Sequence, residues 1–169
     1  TGVSAGSATF TYTNSSTGCV SAPTAAVTVT ALPVVSITGS STICAGATTT
    51  LSPTTGGTWT SSDPTVASVT NAGLVTGLNG GVVTFTYTKN TSPNCSATTS
   101  AVTVNALTPV SITGSNVICV GATTTLSPTS GGTWASSNNA VATVTNAGVV
   151  TGVASGMATF TYTSTATGC

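Results

Sequence analysis

The chain has 169 residues, one Lys or Arg, one Asp or Glu, and no His. Charged residues make up 1%, against about 25% in an ordinary soluble domain, and the formal net charge is zero. This excludes binding to nucleic acid, which rests on Lys and Arg meeting phosphates, and electrostatic binding to an anionic membrane. It also leaves general acid–base catalysis without a titratable pair.

Residues 1–4, Thr1-Gly2-Val3-Ser4, lack the basic and apolar regions of a signal peptide, and no apolar run is long enough for membrane insertion. Next comes "TFTYT" at 9–13, which returns at 84–88 and at 159–163. "AVTV" at 26–29 returns at 101–104 on the same 75-residue period. Residues 1–33 are therefore predicted to be the C-terminal part of a repeat. A sequence that opens in mid-unit predicts a longer array.

The complete unit runs over 34–106. "SITGS" (36–40), "ATTTLSPT" (47–54), "GGTW" (56–59) and "TNAG" (70–73) each recur 75 residues later. In "VTFTYT", Val83, Phe85 and Tyr87 face one way and Thr84, Thr86 and Thr88 the other, the period-two pattern of a half-buried strand. "TTTL", "TWTSS", "VASV", "LVTG" and "AVTV" are rich in β-branched or aromatic residues. "SPTTGG", "SSDP", "TNAG" and "LNGG" separate them with turn chemistry. About seven short strands and no helical period predict an all-β fold, a β-sandwich. Trp59 anchors its core, with Leu51, Val69, Phe85 and Tyr87 around it. A sugar-stacking platform is the alternative reading of these aromatics, but one Trp per unit is too few for it.

Residues 107–169 form most of a following unit, without its last strand. Its core is predicted around Trp134, Phe160 and Tyr162. The linkers "ALPV" (31–34) and "ALTPV" (106–110) contain Pro and no Gly, so they are stiff.

The run "GTWTSSDPTVASVTNAGLVTG" followed by "GVVTFTYT" resembles bacterial Ig-like domains of group 2. The matching positions are Trp59, Ser61, Ser62, Asp63, Val66 to Val69, Gly73, Val75, Thr76 and Gly81. Trp134, Ser136, Ser137, Asn138 and Gly148 repeat part of the set. The resemblance implies tandem Ig-like β-sandwich domains of about 75 residues each, in adhesins and surface fibres, with no catalytic residue. The scarcity of acids departs from many relatives and removes calcium-bridged linkers.

The five cysteines are Cys19, Cys44, Cys95, Cys119 and Cys169. Without His or C-x-x-C pairs they indicate disulfides rather than metal, and an oxidising, extracellular setting. Cys44 and Cys119 sit at the turn between the first two strands of a unit. Cys19, Cys95 and Cys169 sit before the last strand. Pairing within units would give Cys44–Cys95 and Cys119–Cys169. The Ig topology that the resemblance implies puts those two loops at opposite poles. Strands of about seven residues span roughly 20 Å, whereas a disulfide needs Cα atoms within about 7 Å. That topology favours an inter-domain bond, Cys44–Cys169, with Cys95 and Cys19 bonding backward and Cys119 forward.

A Lys89–Asp63 covalent rivet is disfavoured, because Asn14 and Ser164 replace Lys89 in the other units and Asn138 replaces Asp63. Asn14, Asn90 and Asn94 each open an Asn-x-Ser/Thr triplet. O-glycans on exposed Thr faces are the stronger expectation, since so uncharged a chain needs other means of solubility. The functional expectation is a structural repeat segment of an extracellular bacterial filament or adhesin stalk, without enzyme activity, cofactor or metal. Its partners would be neighbouring repeats of the same chain or identical subunits in a filament. The alternative is a carbohydrate- or surface-binding module, adhesive or ice-binding, built on rows of Thr.

Overall fold

A computed structural model describes residues 1–169. The chain is all-β, in three successive pieces that follow the repeat. The first is a hairpin of β1 (Gly6–Ala8) and β2 (Val27–Val29), paired antiparallel.

The middle unit is complete. One sheet holds β3 (Ser36–Ile37), β5 (Thr48–Ser52), β8 (Leu74–Gly77) and β7 (Ala67–Val69), in that spatial order. The opposite layer is built from β4 (Thr42–Cys44), β6 (Gly57–Ser61), β9 (Gly81–Val83), β10 (Phe85–Lys89), β11 (Ser96–Thr98) and β12 (Val102–Asn105). Here β11–β10–β6 and β4–β12–β9 are laid end to end. β9 and β10 are one strand interrupted at Thr84. β11 and β12 are one strand interrupted at residues 99–101. Counted this way there are eight strands, four in each layer, and β4 runs parallel to β12.

Alternation accounts for the burial. In β10 the Phe85 and Tyr87 side chains are 0% and 2% exposed, while Thr86 between them faces outward. Ile43, Leu51, Trp59, Ala67, Val75, Val83, Val102 and Val104 complete the core, and Val69 packs at its edge. Trp59 tilts against Tyr87 with ring centroids 5.1 Å apart. Its indole N–H donates to the carbonyl of Pro53 at 2.9 Å, so the polar tip is satisfied where the ring is buried. The Tyr87 hydroxyl donates to the Thr55 carbonyl at 2.6 Å. The aromatics are core, not a stacking platform.

The interruption near residue 100 is a β-bulge. Val102 pairs with Val83 but Thr98 pairs with Thr86, so one strand carries an extra residue. Thr99 fills the gap. Its hydroxyl accepts from the Phe85 N–H at 3.2 Å and donates to the Ser100 carbonyl at 2.7 Å.

The third unit repeats β3 and β5 to β8 as β13 (Ser111–Ile112), β14 (Thr123–Ser127), β15 (Gly132–Ser136), β16 (Ala142–Val144) and β17 (Val149–Gly152). β18 (Phe160–Ser164) repeats β10 and pairs with β15. Leu126, Trp134, Ala142 and Val150 are buried. Phe160 and Tyr162, expected in the core, are only half-buried. Residues 107–169 include no counterpart of β11 and β12. Residues 117–119 and 156–158, the counterparts of β4 and β9, are not strands here, because β12 is what pairs with both in the middle unit.

Candidate functional site

Two places in the molecule go beyond packing: the joint between the middle and third units, and an open side of the third unit. The joint is built from two turns. After β4 the chain reverses through Ala45, Gly46 and Ala47, and the Ala47 N–H donates to the Cys44 carbonyl at 2.9 Å. Gly46 takes φ +87°, a left-handed conformation natural to glycine. Cys44 is register partner of Asn105, the last residue of β12, and the Ala45 N–H donates to the Asn105 carbonyl at 2.9 Å. Cys44 therefore lies at the pole from which the chain leaves for the third unit.

Cys169 lies at the third unit's near pole. Its carbonyl accepts from the N–H of Ser164, the last residue of β18, at 2.7 Å. The two cysteines are disulfide-bonded, with Cα atoms 5.6 Å apart and a sequence separation of 125. Cys19, Cys95 and Cys119 are free thiols, Cys19 and Cys119 exposed and Cys95 half-buried. Cys95 occupies in the middle unit the place that Cys169 occupies in the third: its carbonyl accepts from Lys89 at 3.0 Å. Cys119 likewise stands where Cys44 stands, with its carbonyl accepting from the Ala122 N–H at 3.0 Å.

A model of one protein family matches residues 23–100 and 101–168. The chain belongs to the bacterial Ig-like domain (group 2) family. Among solved structures, a crystal structure of the S-layer protein rSbsC is similar at 20% identity and a TM-score of 0.37. A structure of surface layer protein SbsC, domains 1-6, is similar at 19% identity and a TM-score of 0.38. Each comparison covers 94% of this chain and 30% of the other, so the chain spans under a third of the length of those relatives. A search of curated proteins found no match.

No group of three or more His, Cys, Asp or Glu side chains is gathered in these Ig-like units. Asp63, the one acid, is engaged in a turn: its carboxylate accepts from the Thr65 hydroxyl at 2.6 Å and the Thr65 N–H at 3.0 Å. The side-chain bond, then the backbone one, hold its pKa below the ordinary carboxylate value. In the third unit Asn138 accepts from Ala140 instead.

The outer face of β6, β10 and β11 is a grid of hydroxyls. Thr60 pairs with Thr86 and Thr86 with Thr98; Thr58 pairs with Thr88 and Thr88 with Ser96. Thr86 and Thr98 hydroxyls meet at 2.9 Å.

The open side of the third unit is a groove of about 1000 Å³ lined mostly by hydrophobic side chains. The groove lies where the middle unit carries β12, whose counterpart residues 107–169 do not include. The bulge at Thr99 was not visible in the sequence, since a Thr before a strand has no signal distinguishing it from any other Thr.

Proposed function

We propose that this chain is a structural segment of a bacterial surface filament or adhesin stalk, located outside the cell. Tandem Ig-like units would give it length, and covalent staples between neighbours would fix their angle. The observation that carries the reading is the Cys44–Cys169 bond across the joint, together with the return of both cysteine positions on the repeat period. Cys119 stands ready for the next unit, and Cys95 and Cys19 for preceding ones. Every joint in an array would then carry one staple. Linkers with Pro and no Gly add stiffness. Exposed Thr faces, open to O-glycans, would keep so uncharged a surface in solution.

The test is electron microscopy of native material with and without reductant, paired with a non-reducing peptide map. The proposal expects stiff fibres of uniform width that become flexible on reduction, and a Cys44–Cys169 peptide. A Cys44–Cys95 peptide, or fibres unchanged by reduction, would overturn the stapled stalk.

The hydroxyl grid on β6, β10 and β11 supports a second reading, binding to carbohydrate or ice. The twist of a short sandwich leaves little flat area for it. Isolated units that bind a glycan array or an ice surface would favour this reading, and inert units the stalk.

A further inference from the structure

We infer that the Cys44–Cys169 disulfide is the taut member of the joint: tension along the chain passes through it, and residues 45–168 stay folded outside its path. The stalk reading supplies the source of that tension and nothing else. Two covalent routes join Cys44 to Cys169. One is the disulfide, with Cα atoms 5.6 Å apart. The other is the backbone of residues 45–168, which crosses between the units through the linker 106–110. A pull applied before Cys44 and after Cys169 divides between these routes according to their stiffness.

The ends of the staple are well anchored. The turn after Cys44 is bonded to both layers of the middle unit. The Ala45 N–H donates to the Asn105 carbonyl in one layer at 2.9 Å, and the Gly46 N–H donates to the Gly77 carbonyl in the other at 2.9 Å. Gly77 returns the contact, its N–H donating to the Ala47 carbonyl at 3.0 Å. In the third unit the loop before Cys169 is closed by the Gly168 N–H donating to the Ser164 carbonyl at 2.8 Å. Thr165 ties that loop to the start of β15, its N–H and hydroxyl both donating to the Gly131 carbonyl at 3.0 Å. The linker has no such support. No backbone hydrogen bond involves residues 106–110, so the linker can straighten where the staple cannot.

The strand order shows what the staple protects. β4 and β12 are parallel neighbours, in register from Thr42 with Thr103 to Cys44 with Asn105. With the linker alone, the third unit would pull β12 forward while the upstream chain pulled β4 back. The pair would be sheared, and loss of β12 would take Val102 and Val104 out of the core. The staple ties Cys44 to the third unit at the same end at which the backbone ties Asn105. Both strands are then pulled together, and the shear between them is relieved. The segment still under tension includes β3 and β4, which are already extended and have little length to give.

The test is force-clamp spectroscopy of the full 169-residue chain held at its two ends. Cys19, Cys95 and Cys119 are changed to Ser, so that no other thiol of the chain attacks the staple. Dithiothreitol is the probe: its thiolate attacks one staple sulfur, the other leaves as a thiolate, and the reagent's second thiol then closes its own disulfide. Each reduction should be followed by unfolding that releases up to about 430 Å, residues 45–168 at about 3.5 Å each. The rate of these events should rise about tenfold with rising force, because attack stretches an S–S bond that lies along the pull. A rate indifferent to force would overturn the inference, since the folded strands would then carry the tension. Cys44→Ser supplies the comparison. It should unfold stepwise without reductant, at forces the stapled chain withstands, and a variant that holds as well as the stapled chain would also overturn the inference. The non-reducing peptide map separates either result from failure of the stapled stalk, in which no Cys44–Cys169 bond forms.

Discussion

The middle and third units carry nearly the same sequence, but residues 1–169 include the last strand of the middle unit alone. In the middle unit Phe85 and Tyr87 are sealed; in the third, Phe160 and Tyr162 are half-exposed. The Trp–Tyr contact is the same in both, with centroids 5.1 and 5.2 Å apart. So is the indole bond to a proline carbonyl, 2.9 Å in each. The β6–β10 pair and its counterpart β15–β18 therefore form without the last strand. What that strand does is order the other half of the same layer. It pairs with β9 and β4, and where it is absent neither neighbour is a strand. A single segment of about ten residues thus closes one layer and half the core.

The largest expected effect comes from removing the aromatic at the heart of each core. Phe85→Ala should cost about 3–5 kcal/mol, the range for a buried Phe. Phe160→Ala should cost less, because its ring is only half-buried. Denaturant unfolding followed by fluorescence separates the two, with Trp134→Phe leaving the middle unit's reporter and Trp59→Phe the third's. Equal costs would show that the third core closes without the counterpart of β12.

Next in size is the staple. It closes a long loop, with a sequence separation of 125 between its cysteines, and constraining the unfolded chain in this way is worth about 2–4 kcal/mol. Cys44→Ser should lower the transition of the third unit more than that of the middle, since the third has less of its own packing to rely on. Calorimetry with the same single-Trp backgrounds checks this. A uniform shift of both transitions would mean that the units unfold together.

The repeat period, the alternation in "VTFTYT" and the turn chemistry made the sandwich legible, since each follows from the backbone's own geometry. The division of Phe85 from Phe160 was not, because identical local sequence gives identical local prediction. Burial is decided by a strand lying 15 or more residues further along, and only a count of strands per unit reveals its absence. For the joint, the Ig topology that the resemblance implies favoured Cys44–Cys169 over pairing within units, by putting the two turns of one unit at opposite poles. Thr99 was illegible because its value comes from a bulge, which depends on register between two strands and not on either alone.

That bulge gives a third test, comparing the middle unit with the first hairpin. Thr24 repeats the arrangement of Thr99, with its hydroxyl accepting from Phe10 at 3.1 Å and donating to Ala25 at 2.9 Å. Thr99 is buried, while Thr24 and Phe10 are exposed. Thr99→Val should cost about 1–3 kcal/mol, because it strands the Phe85 N–H away from water. Thr24→Val should change stability by almost nothing, since water replaces the lost hydroxyl. Urea unfolding of both variants reads the difference.

The smallest effect separates the units by pH. Asp63 titrates; Asn138, at the same turn of the third unit, does not. Thr65 bonds hold the Asp63 carboxyl below its ordinary value, so folding favours the ionised form. The stabilisation is fully present above the unfolded pKa and is lost as pH falls through the lower folded one. Between about pH 5 and about pH 2 the middle unit's transition should therefore fall slightly relative to the third's. Asp63→Asn should remove that slope and leave the rest of the profile unchanged, because the turn keeps an acceptor of the kind Asn138 already supplies. A slope that survives Asp63→Asn would place the titrating group elsewhere.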